Sequence, residues 1–349
     1  MTSTAFTSRR FVLALFAGVA LAGAMPAGAA EYPAPQPLAE GVQADISQLS
    51  NDGDITIAYL PPATEFAYYM AIGEGIKAEA EAAGVETFML APQSGADING
   101  QMGMIQDVIT RDVDAIILST HDEAAAAPLV KQAVDKGIAV VIVNSDITTF
   151  PTPVHGVVGY SQRNGTAKMG EYLIGKLDGK EAVVGVIEGL PGYHSTERVG
   201  GFLDVVEGKP GVTVKASLPG GWNVEGGNTA GMDLLTANPD VTVVFAANDY
   251  MIMGAAAAAK ALGRTDILFL GNDGDTAALE QIADGQVAAT VNTTPFVMGQ
   301  IALTVTLDAL NGEFQGGFVE TPTTIVDGEN VTPVLQNADA LYPKPSRSY

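Results

Sequence analysis

From about residue 55 onward the chain alternates short apolar runs with longer segments of helical composition. Ile55 to Leu60 (ITIAYL) predicts a first strand, closed by Pro61-Pro62. In Thr64 to Ala83, Phe66, Tyr69, Met70, Gly73 and Ile76 recur at spacings of three and four, the period of a helix. Val85 to Leu90 predicts a second strand and Ile98 to Arg111 a second helix. Two later stretches share one design. In residues 113–146 an apolar run, Ile116 to Leu118, ends in Ser119-Thr120-His121-Asp122. An Ala-rich helix and Gly137 follow, then a strand Val140 to Val143 that ends in Asn144-Ser145-Asp146. In residues 241–275, Val243 to Ala246 ends in Asn248-Asp249. The Ala-rich segment Met251 to Leu262 and Gly263 come next, then Ile267 to Leu270, ending in Asn272-Asp273. Strand, helix, strand in about thirty residues is a βαβ unit, which builds parallel sheets. Two such units about 130 residues apart predict two similar α/β lobes. Ligands of open parallel sheets bind beyond the carboxyl ends of the strands. Both sets of polar clusters fall at such ends, so each lobe is expected to present one to a shared cleft.

Between the units, Val154 to Val158 predicts a strand and Gly165 to Leu177 a helix. Ala182 to Ile187 predicts a strand followed by a polar loop, GYHSTER, at 192–198. Val212 to Ala216 predicts a strand, and Gly220-Gly221-Trp222-Asn223 a loop holding the only Trp; Asn228 to Leu235 predicts a helix. After Asp273 come a helix (Thr276 to Ile282), a strand (Val287 to Val291), a long helix (Phe296 to Leu310) and a last strand (Thr323 to Val326). Residues 31–53 are weakly patterned and predict a surface arm.

Composition narrows the function classes. With 349 residues the chain can form two domains, each with its own core. The formal charge is −23, which disfavours nucleic acid or an anionic membrane surface as partner. There is no Cys, which excludes disulfides, thiolate metal sites, Cys nucleophiles and a lipid-modified N-terminal Cys. Residues 1–30 have the order of an export signal: Arg9-Arg10, an apolar region Phe11 to Ala24, then small residues up to Ala30. Cleavage near Ala30 or Glu31 would release a soluble protein outside the cytoplasm. Ser8-Arg9-Arg10 hints at twin-arginine export, a pattern that Val12 and Ala14 fit poorly.

No catalytic constellation accompanies these elements. His121, His155 and His194 are the only histidines and share no paired spacing; HExxH, GxSxG and a P-loop are missing. Gly73-Glu74-Gly75-Ile76-Lys77-Ala78 has the spacing of a dinucleotide fingerprint but lies a dozen residues past the strand, inside the predicted helix. No metal and no cofactor is expected. Asp273 follows an apolar strand and is expected at the cleft, the alternative being an N-cap for the helix over 276–282. Arg198 is one of few cations, the alternative being a surface ion pair. Phe66, Tyr68 and Tyr69 form an aromatic helix start, either core or a stacking surface at the cleft mouth.

Taken together, GEGIKAEAEAAG at 73–84, NSD at 144–146, STERVGGF at 195–202, LLTANPDVTVVFAANDYMIMGA at 234–255, FLGNDGD at 269–275 and DGQVAATVNTTPFVMG at 284–299 resemble, in order, the periplasmic sugar-binding proteins of ABC transporters typified by ribose-binding protein. The resemblance covers about residues 55–330. It implies the type I periplasmic-binding-protein fold: two Rossmann-like lobes joined by a three-stranded hinge. The lobes would be 54–158 plus 294–321 and 159–293 plus 322–338, with 339–349 a tail. It implies capture of a monosaccharide or polyol in the cleft, delivery to an ABC-type permease, and a monomer without enzymatic activity. A sensor feeding a chemoreceptor is the alternative of the same fold. A sugar-responsive repressor would need a basic DNA-binding segment, which this chain lacks. Carried over by position, the ligand residues would be Phe66, Tyr68, Tyr69, Ser119, Asn144, Asp146, Arg198, Trp222, Asn248, Asp273 and Thr293. Three departures stand out. Phe66-Ala67-Tyr68-Tyr69 replaces Asn-Pro-Phe-Phe of the ribose-type site, Asn144-Ser145 replaces Asp-Arg, and Thr293 replaces the hinge glutamine. Ribose itself is therefore not the assumed ligand.

Overall fold

The computed structural model describes residues 30–49 and 53–343. The expected export signal falls, apart from Ala30, outside the described residues, as does the end of the tail. Two six-stranded sheets form two α/β lobes.

The first lobe begins with β1 (Thr56–Leu60), α1 (Ala67–Ala83), β2 (Glu86–Met89), α2 (Ile98–Val108) and β3 (Ala115–Leu118). It continues with α3 (Glu123–Asp135), β4 (Ala139–Val143) and β5 (Gly156–Gly159). The second holds α4 (Gln162–Leu177), β6 (Ala182–Glu188), α5 (Tyr193–Val206), β7 (Val212–Pro219), α6 (Val224–Ala237) and β8 (Val243–Ala246). It goes on through α7 (Asp249–Ala261), β9 (Leu268–Asp273), α8 (Thr276–Ala283) and β10 (Ala289–Asn292). The chain then returns to the first lobe for α9 (Pro295–Leu310) and β11 (Phe318–Glu320), and crosses back for β12 (Thr324–Asp327). Two short helices follow, α10 (Val331–Gln336) and α11 (Ala338–Leu341), where the sequence pattern predicted an irregular end.

Strand order is β11-β5-β4-β3-β1-β2 in one sheet and β12-β10-β9-β8-β6-β7 in the other. All pairings are parallel except β10 with β12. Helices cover the sheets, so β3, β4, β5 and β8 are buried at every residue, and such strands read as continuous apolar runs. The order reverses between β1 and β3 in one lobe and between β6 and β8 in the other. These switch points are where ligand crevices open in doubly wound sheets. The chain passes between the sheets three times, at 160–161, 293–294 and 321–323.

Three details depart from the sequence pattern. The segment 192–198 is no loop beyond Gly192, because α5 already starts at Tyr193. Its buried face carries His194, Ser195 and Arg198 beside Val199 and Phe202, so a polar face is turned inward and apolar periodicity misses it. Helix α6 starts at Val224 rather than Asn228, because Asn223 caps it by accepting from Gly226 N at 2.8 Å. The arm before β1 is tied down: Gln36 bridges to Phe318 and Gln43 to Val154. Gly75 sits where α1 crosses α9, and a Cβ there would collide with the carbonyl oxygen of Phe296. The glycine is explained by helix packing, which removes the dinucleotide reading.

Candidate functional site

The crevices at the two switch points face each other and bound a narrow cavity between the lobes. Phe66, Tyr68, Tyr69, His121 and Asn144 wall it from the first lobe; His194, Arg198, Trp222, Asn248, Tyr250 and Asp273 wall it from the second.

Its polar centre is an ion pair. Arg198 Nη1 donates to Asp273 Oδ1 at 2.9 Å, and both side chains are buried. Arg198 also donates to Gln162 Oε1 (3.0 Å) and the Ala247 carbonyl (3.1 Å). Its guanidinium lies over the rings of Tyr160 (5.6 Å) and Trp222 (5.4 Å). Burial pushes the Asp273 carboxyl up to about 6, against the pull of Arg198. Beneath it the buried carboxylate of Asp249 accepts from Gly274 N, Asp275 N and Thr290 Oγ1. Burial, reinforced by Asp273, drives the Asp249 carboxyl well above the usual range. Asp273 Oδ2 and Arg198 Nη2 make no hydrogen bond to any described residue, so an acceptor and a donor remain for a bound molecule.

Rings from both lobes surround this pair. His121 stacks on Trp222 across the cleft with centroids 6.3 Å apart, and Phe66 meets Tyr250 edge-on at 5.7 Å. The Tyr250 hydroxyl accepts from Ala67 N at 3.2 Å. Burial pulls His121 down to about 4 and His194 to about 3, so both are neutral at pH 7. Partners then assign the tautomers. The Gly95 carbonyl can only accept, so His121 Nδ1 carries the proton, leaving Nε2 to accept from the Tyr69 hydroxyl at 3.2 Å. Gln162 Nε2 donates to His194 Nδ1 at 2.6 Å, which puts the His194 proton on Nε2. Asn144, Trp222 and Asp273 all have positive φ (61°, 70° and 133°), backbone that side-chain-bearing residues rarely adopt. Such strain collects at functional sites.

The family described as periplasmic binding protein domain matches residues 57–314. The chain belongs to this family. A D-ribose/D-allose-binding protein of Pseudomonas aeruginosa is 32% identical over 241 residues, 66% of this chain and 75% of that one. The ribose import binding protein of Bacillus subtilis is 31% identical over 268 residues, 76% of this chain and 85% of that one. Among solved structures, an ABC transporter periplasmic solute binding protein from Actinobacillus succinogenes with bound D-allose is similar at TM-score 0.74 and 25% identity. The match covers 80% of this chain and 100% of that chain. An ABC transporter solute binding protein from Mycobacterium smegmatis with bound glycerol is similar at TM-score 0.75 and 29% identity, covering 81% and 97%. The fold is that of the type I periplasmic binding proteins, as the sequence resemblance implied.

Of the sequence-predicted residues, Phe66, Tyr68, Tyr69, Asn144, Arg198, Trp222, Asn248 and Asp273 line the cavity of this family member. Three stand behind or beside it. The Ser119 hydroxyl is buried next to the Tyr69 phenol and makes no hydrogen bond of ordinary geometry. Thr293 Oγ1 lies 2.8 Å from the Tyr68 hydroxyl. Asp146 accepts from Gln162 N (3.0 Å) and the Tyr193 hydroxyl (3.2 Å), so it holds the start of α4 to α5. The cap reading of Asp273 gives way to its neighbour, because Asp275 accepts from Ala277 N at 2.9 Å. Asn248 does cap α7, accepting from Met251 N, while its Nδ2 donates to the Trp222 carbonyl. His121, His194 and Tyr250 escaped sequence reasoning. His121 follows the same strand end as Ser119, and Tyr250 sits two residues past Asn248, so the strand-end rule that found their neighbours covers them too. Among the described residues no group of three or more His, Cys, Asp or Glu is placed to hold a metal ion.

Proposed function

We propose that this protein captures a monosaccharide or polyol between its lobes and hands it to an ABC-type permease, without transforming it. The observation that carries the reading is the buried Arg198–Asp273 pair with unused donor and acceptor positions, flanked by Trp222, Tyr69 and Phe66. Sugars and polyols present hydroxyl edges to charged groups and C–H faces to rings. A site of this kind rejects analogues lacking the hydroxyls, since its buried polar groups would be left unpaired. The relatives named for ribose and allose and the neighbour holding D-allose support the class. Export, with the signal removed near Ala30, action as a monomer, and hinge closure about the three crossings belong to the same reading. The lobes would then comprise 54–158 plus 294–321 and 159–293 plus 322–338.

A thermal-shift panel of pentoses, hexoses and polyols tests it. A compound at 100 times its dissociation constant should stabilise the folded state by about 2.7 kcal/mol through mass action. A panel in which no sugar or polyol raises the melting point refutes the proposal.

A further inference from the structure

The C-terminal strap connects the two lobes. Helix α10 packs on α8 of the second lobe, whereas α11 packs on α9 of the first. The family match ends at residue 314, so the strap lies beyond it. After α11, Tyr342 turns inward, into a space bounded by Ala67 and Met70 of α1 and by Asp275 and Thr276 at the start of α8. Its hydroxyl donates to the Asp273 backbone carbonyl at 3.3 Å.

That carbonyl is a junction. It also accepts from Thr293 N and from Thr293 Oγ1, both at 3.1 Å. When Thr293 Oγ1 donates to that carbonyl, it accepts from the Tyr68 hydroxyl, 2.8 Å away on the first lobe's side of the cavity. A continuous hydrogen-bonded path thus runs from the strap, through the strained Asp273 backbone and the crossing at 293–294, to the first lobe's wall of the cavity. A residue held at φ 133° needs such support to keep its side chain aimed.

From this path we infer that the strap sets the site's carboxylate, with Tyr342 as a positioning residue for Asp273 and for Thr293 at the crossing. The inference deepens the proposed sugar site and rests on that reading for its affinity arm alone. Tyr342→Phe keeps the ring and removes the hydroxyl. Without any sugar, amide exchange of Thr293 is expected to quicken roughly threefold to tenfold, as for one neutral hydrogen bond lost. Amides of β3, remote from the strap, should exchange at their former rate. With D-allose as probe, the calorimetric dissociation constant should rise by a similar factor, mostly through faster release. Unchanged Thr293 exchange in Y342F overturns the inference, as does quickening shared equally by β3, which would mark general loosening. If D-allose gives no heat with the unaltered protein while Thr293 alone responds to Y342F, the choice of sugar fails and the strap stands.

Discussion

Replacing Asp273 by Ala tests the site at its centre. Oδ1 of this residue serves two donors, Arg198 Nη1 at 2.9 Å and Asn272 Nδ2 at 3.0 Å. Removing one member of a buried ion pair typically costs about 3–5 kcal/mol, because the other charge is left without compensation. Here the loss is softened on two sides. Arg198 keeps Gln162 and the Ala247 carbonyl as acceptors and two rings beneath it. Asp249 is relieved of a neighbouring carboxylate that opposes its own ionisation. A stability loss of about 2–3 kcal/mol follows, below the usual range for a broken buried pair. Affinity should suffer more. Each charge-assisted bond to a sugar hydroxyl is worth about 1.5–3 kcal/mol. At tenfold per 1.4 kcal/mol, losing one or two lowers affinity by roughly two orders of magnitude. Asp275→Ala is the control, since that residue caps α8 and is not part of the cavity wall. It should cost about 1 kcal/mol of stability and leave affinity within about twofold. Calorimetric titration with the best compound of the sugar panel, alongside melting curves, separates the two variants. A folded D273A protein that binds as tightly as the parent refutes the assignment of Asp273 to the site.

Two further predictions concern the scaffold. Burial holds His155 down to about 4, and its Nδ1 accepts from Val140 N at 2.9 Å. With a folded pKa below the unfolded value near 6.5, its stabilising effect is complete above 6.5 and is lost as pH falls toward 4. Between pH 8 and pH 5 the loss is about 2 kcal/mol; denaturation at both pH values should show it in the parent and its disappearance in His155→Gln, and an equal difference in both would refute the argument. Gly75→Ala puts a methyl group against the Phe296 carbonyl where α1 crosses α9; overpacking of this kind costs about 1–3 kcal/mol, and an unchanged melting point would refute the packing role given to this glycine.

The parts of this fold legible in the sequence are those in which apolar residues do the burying. Strands β4 and β8 are sealed on both faces, so their runs stand out, and the polar residues that end them were found with them. The start of α5 was hidden because Arg198, His194 and Ser195 occupy its buried face, and inward polar residues resemble a solvated loop. Helix α6 was shortened for a related reason: Gly226 and Gly227 look like loop, yet a Cβ at Gly227 would meet the backbone of Met251 on α7. For the site, position along a strand identified Asp273 and Asn144 but not distances across the cleft. The stacking of His121 on Trp222 joins residues about 100 positions apart, and nothing local in either segment announces the other. Likewise Asp146 shares the strand-end cluster of Asn144, but it points to Tyr193 and away from the cavity.

One residue from each of the three departures from the ribose-type pattern, Tyr68, Asn144 and Thr293, meets the others in space. The cavity wall carries one oppositely charged pair, Arg198 with Asp273. The Tyr68 hydroxyl lies between Asn144 Oδ1 and Thr293 Oγ1. Proton counting allows two arrangements of this chain. Tyr68 donates to Thr293 while Thr293 donates to the Asp273 carbonyl, or Thr293 donates to Tyr68 while Tyr68 donates to Asn144. In the second the Asp273 carbonyl loses the threonine hydroxyl and retains Thr293 N and Tyr342. A tyrosine at 68 and a threonine at 293 are thus two ends of one bond, and Tyr342 keeps the shared carbonyl satisfied whichever way the protons run.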